Sequence, residues 1–96
     1  MSPTNKKKLD LLRIKLDKLD TDLLKLIKKR SNLVNDVLKV KIHKKEIIDQ
    51  KRISFILKKI KKKSIQLKID PKISNRIWKN MIWSFIDYEK RNFKKK

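Results

Sequence analysis

The chain has 96 residues, enough for one small domain, and its 30 basic residues outnumber the 10 acidic ones to give a formal net charge of +20. It contains no cysteine and a single histidine, His43, which excludes a disulfide framework, a thiolate metal site and a multi-histidine metal site within one chain. No apolar run approaches the ~20 residues that cross a bilayer, and residues 1–8 contain no apolar signal segment. We therefore expect a cytoplasmic protein with no membrane partner, no metal and no cofactor.

The net positive charge bears on a nucleic-acid partner, whereas the use of arginine in place of lysine bears on a carboxylate-binding site. A net charge this high is compatible with a nucleic-acid partner. However, glycine and alanine are absent while lysine, isoleucine and asparagine are abundant, which is typical of a chain that has drifted toward AT-rich codons. Where lysine is the default cation, a retained arginine indicates a site that needs its planar fork of donors to grip a carboxylate. The five arginines are Arg13, Arg30, Arg52, Arg76 and Arg91.

The first predicted element is a long helix from Leu9 to about Ile42. Its apolar residues alternate steps of three and four, with one position left over between Leu26 and Leu33: Leu9, Leu12, Leu16, Leu19, Leu23, Leu26, Leu33, Val37 and Val40. A helix of about 34 residues is ~50 Å long, more than a globule of this size covers. Its apolar seam therefore predicts a second long helix, supplied by a second copy of the chain.

Two shorter helices follow a break at residues 43–48. Asp49 is a predicted N-cap for a helix that runs to about Leu67, with its inner face formed by Ile53, Ile56, Leu57 and Ile60. Asp70 and Pro71 predict the start of a third helix, which continues to about Phe93. No segment alternates with the period of a strand. The prediction is an all-α domain over residues 9–93, between a flexible N-terminus (1–8) and a basic tail (94–96).

Charged residues on apolar faces are the candidates for chemistry. Arg30 occupies the leftover heptad position, and Lys41 lies about 20° from it around the same helix and ~16 Å further along. Glu89 ends the apolar stripe of Trp78, Ile82 and Phe85 in the third helix. The structural alternatives are a buried salt bridge or a snorkelling side chain for Arg30, and an ion pair with Lys41 or an arginine for Glu89.

The positions of Arg13 and Arg52 along the sequence indicate where each guanidinium can act. Arg13 precedes Arg30 by ~25 Å of helix, so the two cannot meet within one straight helix, whereas an antiparallel dimer brings them together. Arg52 follows Asp49 in the first turn of the second helix, where a surface role is the alternative. The sequence contains no nucleophile triad, glycine-rich phosphate loop or paired catalytic carboxylates. An enzyme built from these residues works by holding a substrate in shape and stabilising developing charge.

The stretch LDLLRIKLDKLDTDLLKLIKKRSNLVNDVLKVK resembles the first helix of the all-α (type II) chorismate mutase family. The resemblance covers Leu9 to Phe93 and is strongest in the spacing of Arg13, Arg30, Lys41, Asp49 and Arg52. It implies an intertwined homodimer of three-helix chains with a long first helix. It also implies a small dianionic substrate, chorismate or isochorismate.

The resemblance implies a role for each matching residue. Arg30 and Arg52 of one chain, with Arg13 of the partner subunit, are expected to bind substrate carboxylates and neighbouring oxygens. Lys41 is expected to donate to a carboxylate and to the ether oxygen whose bond breaks, and Asp49 to contact the substrate hydroxyl. Glu89 stands where many members have a glutamine that donates to the same ether oxygen.

Three residues depart from the mutase pattern. Ile53 replaces a glutamate that binds the substrate hydroxyl, Phe85 replaces a serine, and Glu89 donates a hydrogen bond only when protonated. Ile53, Phe85 and the stretch IWKNMIWSFIDYE are similar to the related isochorismate pyruvate lyases, whereas Asp49 fits the mutases better.

The resulting prediction is a dimeric chorismate mutase, with an isochorismate pyruvate lyase as the alternative within the family. A basic nucleic-acid-binding protein is the alternative of another class. Against it, the aromatic residues cluster in the third helix and are not interleaved with lysines: Trp78, Trp83, Phe85, Tyr88 and Phe93. The prediction therefore includes no nucleic-acid partner. Arg76 and Arg91 receive no role.

Overall fold

The computed structural model describes residues 2–94 and contains no strand in that range. Its elements are helix α1 (Pro3–Val40), a 3₁₀ turn (Lys44–Ile47), helix α2 (Gln50–Gln66) and helix α3 (Pro71–Asn92). The predicted all-α class, with three helices and a long first helix, is confirmed. Met1 of the predicted N-terminal segment and Lys95 and Lys96 of the predicted tail lie outside the described residues. No helix within residues 2–94 is long and apolar enough to cross a membrane.

Helix α1 begins at Pro3 and not at the predicted Leu9, and it ends at Val40 and not at Ile42. The early start has a local cause. The Ser2 hydroxyl accepts a hydrogen bond from the Asn5 amide at 3.1 Å, and proline stands in the first helical position. Apolar periodicity begins only at Leu9, so a prediction based on periodicity missed this cap.

The chain divides into two compact units, Met1–Leu33 and Val34–Lys96. The described part of the first unit belongs almost entirely to α1. Its seam leucines are each more than half exposed: Leu12, Leu16, Leu19, Leu23, Leu26 and Leu33. A single helix has no other element within its own unit against which to bury such a seam.

The second unit contains the hydrophobic core. Its buried members are Leu38, Ile47, Ile82 and Ile86. Partly buried apolar residues pack against them: Ile48, Ile53, Ile56, Leu57 and Phe93. Three of the four residues predicted for the inner face of α2 are among these, and the fourth, Ile60, is half-buried. Helices α2 and α3 also meet through the buried hydroxyls of Ser64 and Ser74, whose Oγ atoms are 2.6 Å apart.

The helix ends of the second unit follow capping chemistry. Asp49 accepts from the Arg52 amide at 3.0 Å and Asp70 from the Lys72 amide at 2.9 Å, which confirms both predicted starts. Helix α2 ends in a Schellman motif, in which the Lys68 and Ile69 amides donate to the carbonyls of Ile65 and Ser64. Lys68 takes the left-handed position of the motif, with φ of 59°.

Candidate functional site

A buried ion pair joins two of the predicted site residues. The Lys41 ammonium lies 3.0 Å from Oε1 of Glu89, and the two side chains are 17% and 7% exposed. Lys41 directly follows the end of α1, and Glu89 lies near the end of α3 beside the core residue Ile86. Of the alternatives for Glu89, the structure thus shows an ion pair with Lys41. An ammonium has three hydrogens to donate and this bond uses one of them, so the pair also leaves Lys41 with donors for a ligand.

Lys41 also lines an open depression of about 430 Å³. Its other lining residues come from the 3₁₀ turn, the following link and the first turn of α2: Glu46, Ile48, Asp49, Gln50 and Lys51. Two cations, Lys41 and Lys51, and two carboxylates therefore surround one cavity, with the apolar Ile48 beside them. This set can bind an anionic group at Lys41 and accept from a hydroxyl at a carboxylate.

Asp49, Arg52 and Ile53 are positioned by the start of α2. Asp49 caps the helix, so one of its carboxylate oxygens already accepts the Arg52 amide. The Arg52 guanidinium carbon lies 5.3 Å from the centre of the Phe55 ring, a cation–π contact on the exposed side of α2. Ile53, the next residue along the helix, is half-buried and packs against the core.

Phe85 and Glu89 lie on one stripe of α3, as predicted. Along this stripe Ile82 and Glu89 are buried, and Trp78 and Phe85 are half-buried. One helical position before Glu89, the Tyr88 hydroxyl donates to Oδ1 of Asn35 at 2.9 Å. This bond ties the end of α3 to the last turns of α1 within the second unit.

Arg13 and Arg30 belong to the first unit. Arg13 is exposed, whereas Arg30 is half-buried and its Nη1 atom is shielded from solvent. The contrast separates two arginines on one helix. A shielded guanidinium within a leucine-rich seam is costly unless it is paired. This is the property predicted for the charged heptad position between Leu26 and Leu33.

Two residues near these groups are not among the predicted site residues. Glu46 reaches the depression because it closes the 3₁₀ turn, its carboxylate accepting from the His43 amide at 3.1 Å. His43 and Glu46 have the three-residue spacing of a capping box, and this spacing is the sequence signal that marks Glu46. Phe55 is an aromatic residue outside the third helix, and it lies among the lysines of α2, so the prediction that aromatic residues are not interleaved with lysines is wrong at this position.

A family model described as chorismate mutase type II matches residues 12–90. The chain belongs to the type II chorismate mutase family. Membership of this family supports a chorismate mutase-type activity, which is an isomerisation. Comparisons with curated proteins and with solved structures found no match.

The matched range contains every residue that the sequence predicts for the site of a chorismate mutase. These are Arg13, Arg30, Lys41, Asp49, Arg52, Ile53, Phe85 and Glu89. Within residues 2–94, no three histidine, cysteine, aspartate or glutamate side chains come together to hold a metal ion. Six of the eight site residues lie in the second unit, where Lys41 links the depression to Glu89.

Proposed function

We propose that this protein rearranges chorismate to prephenate at a site built around Lys41. The observation that carries the proposal is the ion pair of Lys41 and Glu89. The pair is largely buried, and Lys41 also lines an open depression together with Asp49. Burying an ion pair is costly unless the geometry is good, and the cavity that Lys41 of this pair lines is open to a ligand. A cation held in this way is suited to charge that develops on a substrate oxygen.

The proposed reaction forms and breaks bonds within the substrate alone. The ether C–O bond of the enolpyruvyl group breaks while a C–C bond forms to the ring, so atoms balance without a nucleophile or a cofactor. The protein's part is to hold the flexible dianion in its compact conformer and to offset negative charge on the ether oxygen. Lys41 donates to that oxygen and to a carboxylate. Glu89, whose carboxylate accepts from Lys41 in the ion pair, donates to the ether oxygen as well only when a proton has replaced that pairing.

The remaining residues are proposed to orient the substrate. Asp49 accepts from the substrate hydroxyl with the oxygen that does not cap α2. Arg30 and Arg52 each bind a substrate carboxylate through two parallel hydrogen bonds from the guanidinium. To do so, the Arg52 side chain turns away from the Phe55 ring. Phe85 and Ile53 supply apolar walls.

We propose a homodimer in which Arg13 enters the site of the partner subunit. The support is the row of seam leucines in the first unit, each more than half exposed. Exposed apolar surface of this extent is typical of a protein interface.

An isochorismate pyruvate lyase is the second candidate function, favoured by Ile53. In the mutases a glutamate at this position binds the substrate hydroxyl, whereas Ile53 packs against the core and offers no polar atom. The proposed site grips isochorismate through the same cations, and the lyase reaction eliminates pyruvate from it.

Separate incubations of the purified protein with chorismate and with isochorismate test both candidates. Formation of prephenate from chorismate supports the mutase. If salicylate and pyruvate form from isochorismate and no prephenate forms from chorismate, the activity is that of the lyase and the mutase proposal is overturned. Arg76→Lys is a matched control for variants of site arginines, because Arg76 is exposed on α3.

A further inference from the structure

The outward side of α2 combines lysines with one aromatic residue. Lys51, Phe55, Lys58 and Lys62 follow one another by steps of four, three and four, which places them in a single stripe. Lys59 lies 40° from Phe55 around the helix at ~100° per residue. These five residues, all exposed, are called the lysine face, and Phe55 in its middle is 53% exposed.

The charge of the lysine face is not neutralised within α2. The helix contains no aspartate or glutamate along its whole length, Gln50–Gln66. The salt bridges found within residues 2–94 join Asp36 to Lys39, Lys41 to Glu89 and Asp87 to Arg91, so none involves α2. Neighbouring lysines on one helix face repel each other, and an anionic partner relieves this repulsion.

Phe55 lies near two cations and also lines an open depression that contains two more. The Arg52 and Lys59 cations lie 5.3 and 5.8 Å from the ring centre, and both are displaced in the same direction around the helix. On the opposite side, the ring forms one wall of a depression of about 450 Å³. Its other walls are Gln50, Lys51, Ser54 and Lys58.

The basic surface continues from this depression toward α3. Lys58 and Ser54 also line a second depression of about 410 Å³. Its further lining residues are Leu57, Lys61, Pro71, Lys72 and Asn75. Positive charge therefore extends from an exposed aromatic ring along a groove between α2 and the start of α3.

We propose that the lysine face binds single-stranded nucleic acid, a function beyond the proposed enzymatic one, although the two surfaces share Lys51. An unpaired base stacks on Phe55 from the side of the open depression, and the lysines contact the flanking phosphates. Stacking on an aromatic ring beside a positively charged groove is the way in which proteins hold single strands without sequence preference.

An anionic membrane surface fits these observations less well. A helix that lies in a membrane interface inserts a broad apolar face. The apolar face of α2 packs against the core through Ile53, Ile56 and Leu57, and the outward stripe offers Phe55 between lysines. A duplex fits less well too, because its bases are already stacked and leave Phe55 without a partner.

Fluorescence anisotropy of a labelled oligothymidylate, titrated with the full-length protein, tests the proposal. Phe55→Leu keeps the bulk of the side chain but removes the aromatic face, and we expect at least about a fivefold loss of affinity. Phe55→Trp keeps a stacking face and should retain wild-type affinity or exceed it. The double variant Lys58→Gln/Lys62→Gln should lower the slope of log affinity against log salt by about 1.4, from ~0.7 for each phosphate contact.

Controls separate stacking and local contacts from general charge attraction. Lys7→Gln/Lys79→Gln removes the same charge from exposed positions elsewhere and should leave most of the affinity. Circular dichroism establishes that each variant folds. The proposal is overturned if Phe55→Leu binds as the wild type does, or if the two lysine pairs have equal effects. Equal binding to a duplex, or preferential binding to vesicles of anionic lipid, overturns it as well.

Discussion

At the scale of single residues, the central feature is a salt bridge with little access to water. The side chains of Lys41 and Glu89 are 17% and 7% exposed. Removal of either one therefore leaves the other charge unpaired and poorly solvated. Loss of one partner from a buried pair typically costs about 3–5 kcal/mol. Informative variants of this pair are therefore those that keep size and hydrogen bonding.

Arg30→Lys is expected to remove most mutase activity and leave the helical content unchanged. Lysine keeps the charge and the helix propensity but lacks the fork that binds a carboxylate through two parallel bonds. Rates of prephenate formation, with circular dichroism for folding, measure the effect. Arg76→Lys should retain wild-type activity, and full activity of Arg30→Lys would show that Arg30 has only a structural role.

Glu89→Gln is expected to make the activity nearly independent of pH. Glu89 donates to an ether oxygen only when it is protonated, so wild-type activity should fall as the pH rises, whereas a glutamine amide donates at every pH. Initial rates measured across a pH series for both proteins give the comparison.

Glu46→Gln is the matched control for this series. Glu46 lines the depression beside Lys41 but stands outside the proposed donor set, so its variant should keep the pH dependence of the wild type. A wild-type profile that is already flat, or a Glu89→Gln profile that still falls, contradicts the proposed role of Glu89.

At the scale of elements, the ends of the helices depend on short sequence signals. The caps at Asp49 and Asp70 were predictable because each is formed by a side chain and an amide two or three residues away. The Ser2–Pro3 start is equally local and was missed because no apolar residue accompanies it before Leu9. The end of α2 is unusual because a chain without glycine uses Lys68 in the left-handed position.

Lys68→Gly is expected to raise the free energy of unfolding by about 1 kcal/mol, since a side chain in the left-handed region costs ~1–2 kcal/mol. For a domain of this size such a gain raises Tm by about 4–8 °C. Chemical denaturation and thermal melting measure both quantities.

Lys62→Gly is the control with the opposite sign. The same substitution inside α2 should lower the free energy of unfolding by about 1 kcal/mol, because glycine is a poor helix former. If Lys68→Gly lowers stability to a similar extent, Lys68 does not hold the left-handed position in solution.

At the scale of the whole molecule, the exposed seam of α1 and the proposed role of Arg13 concern the association of two chains. The heptad pattern predicts that two long helices cover each other's leucines. A site that takes Arg13 from one chain and Arg30 from another is then completed only by assembly.

Subunit exchange tests the shared site. An inactive Arg13 variant mixed with an inactive Arg30 variant should recover part of the wild-type activity. In a mixed dimer with antiparallel helices, one of the two sites receives both intact arginines. Two Arg30 variants carrying different tags, mixed in the same way, control for exchange alone. Absence of recovery after exchange has been demonstrated refutes the shared-site model.

The sequence by itself determined the features that depend on neighbouring residues. Heptad spacing predicted a long first helix, caps predicted the starts of α2 and α3, and a charge on an apolar stripe marked Glu89. Tertiary structure alone decided which cation pairs with Glu89, since Lys41 is 48 positions away and periodicity carries no information about such a contact. It also brought Glu46 to the depression beside Lys41 and placed Phe55 opposite the core. Local signals fix where helices begin and which side is apolar, whereas only packing fixes which side chains meet.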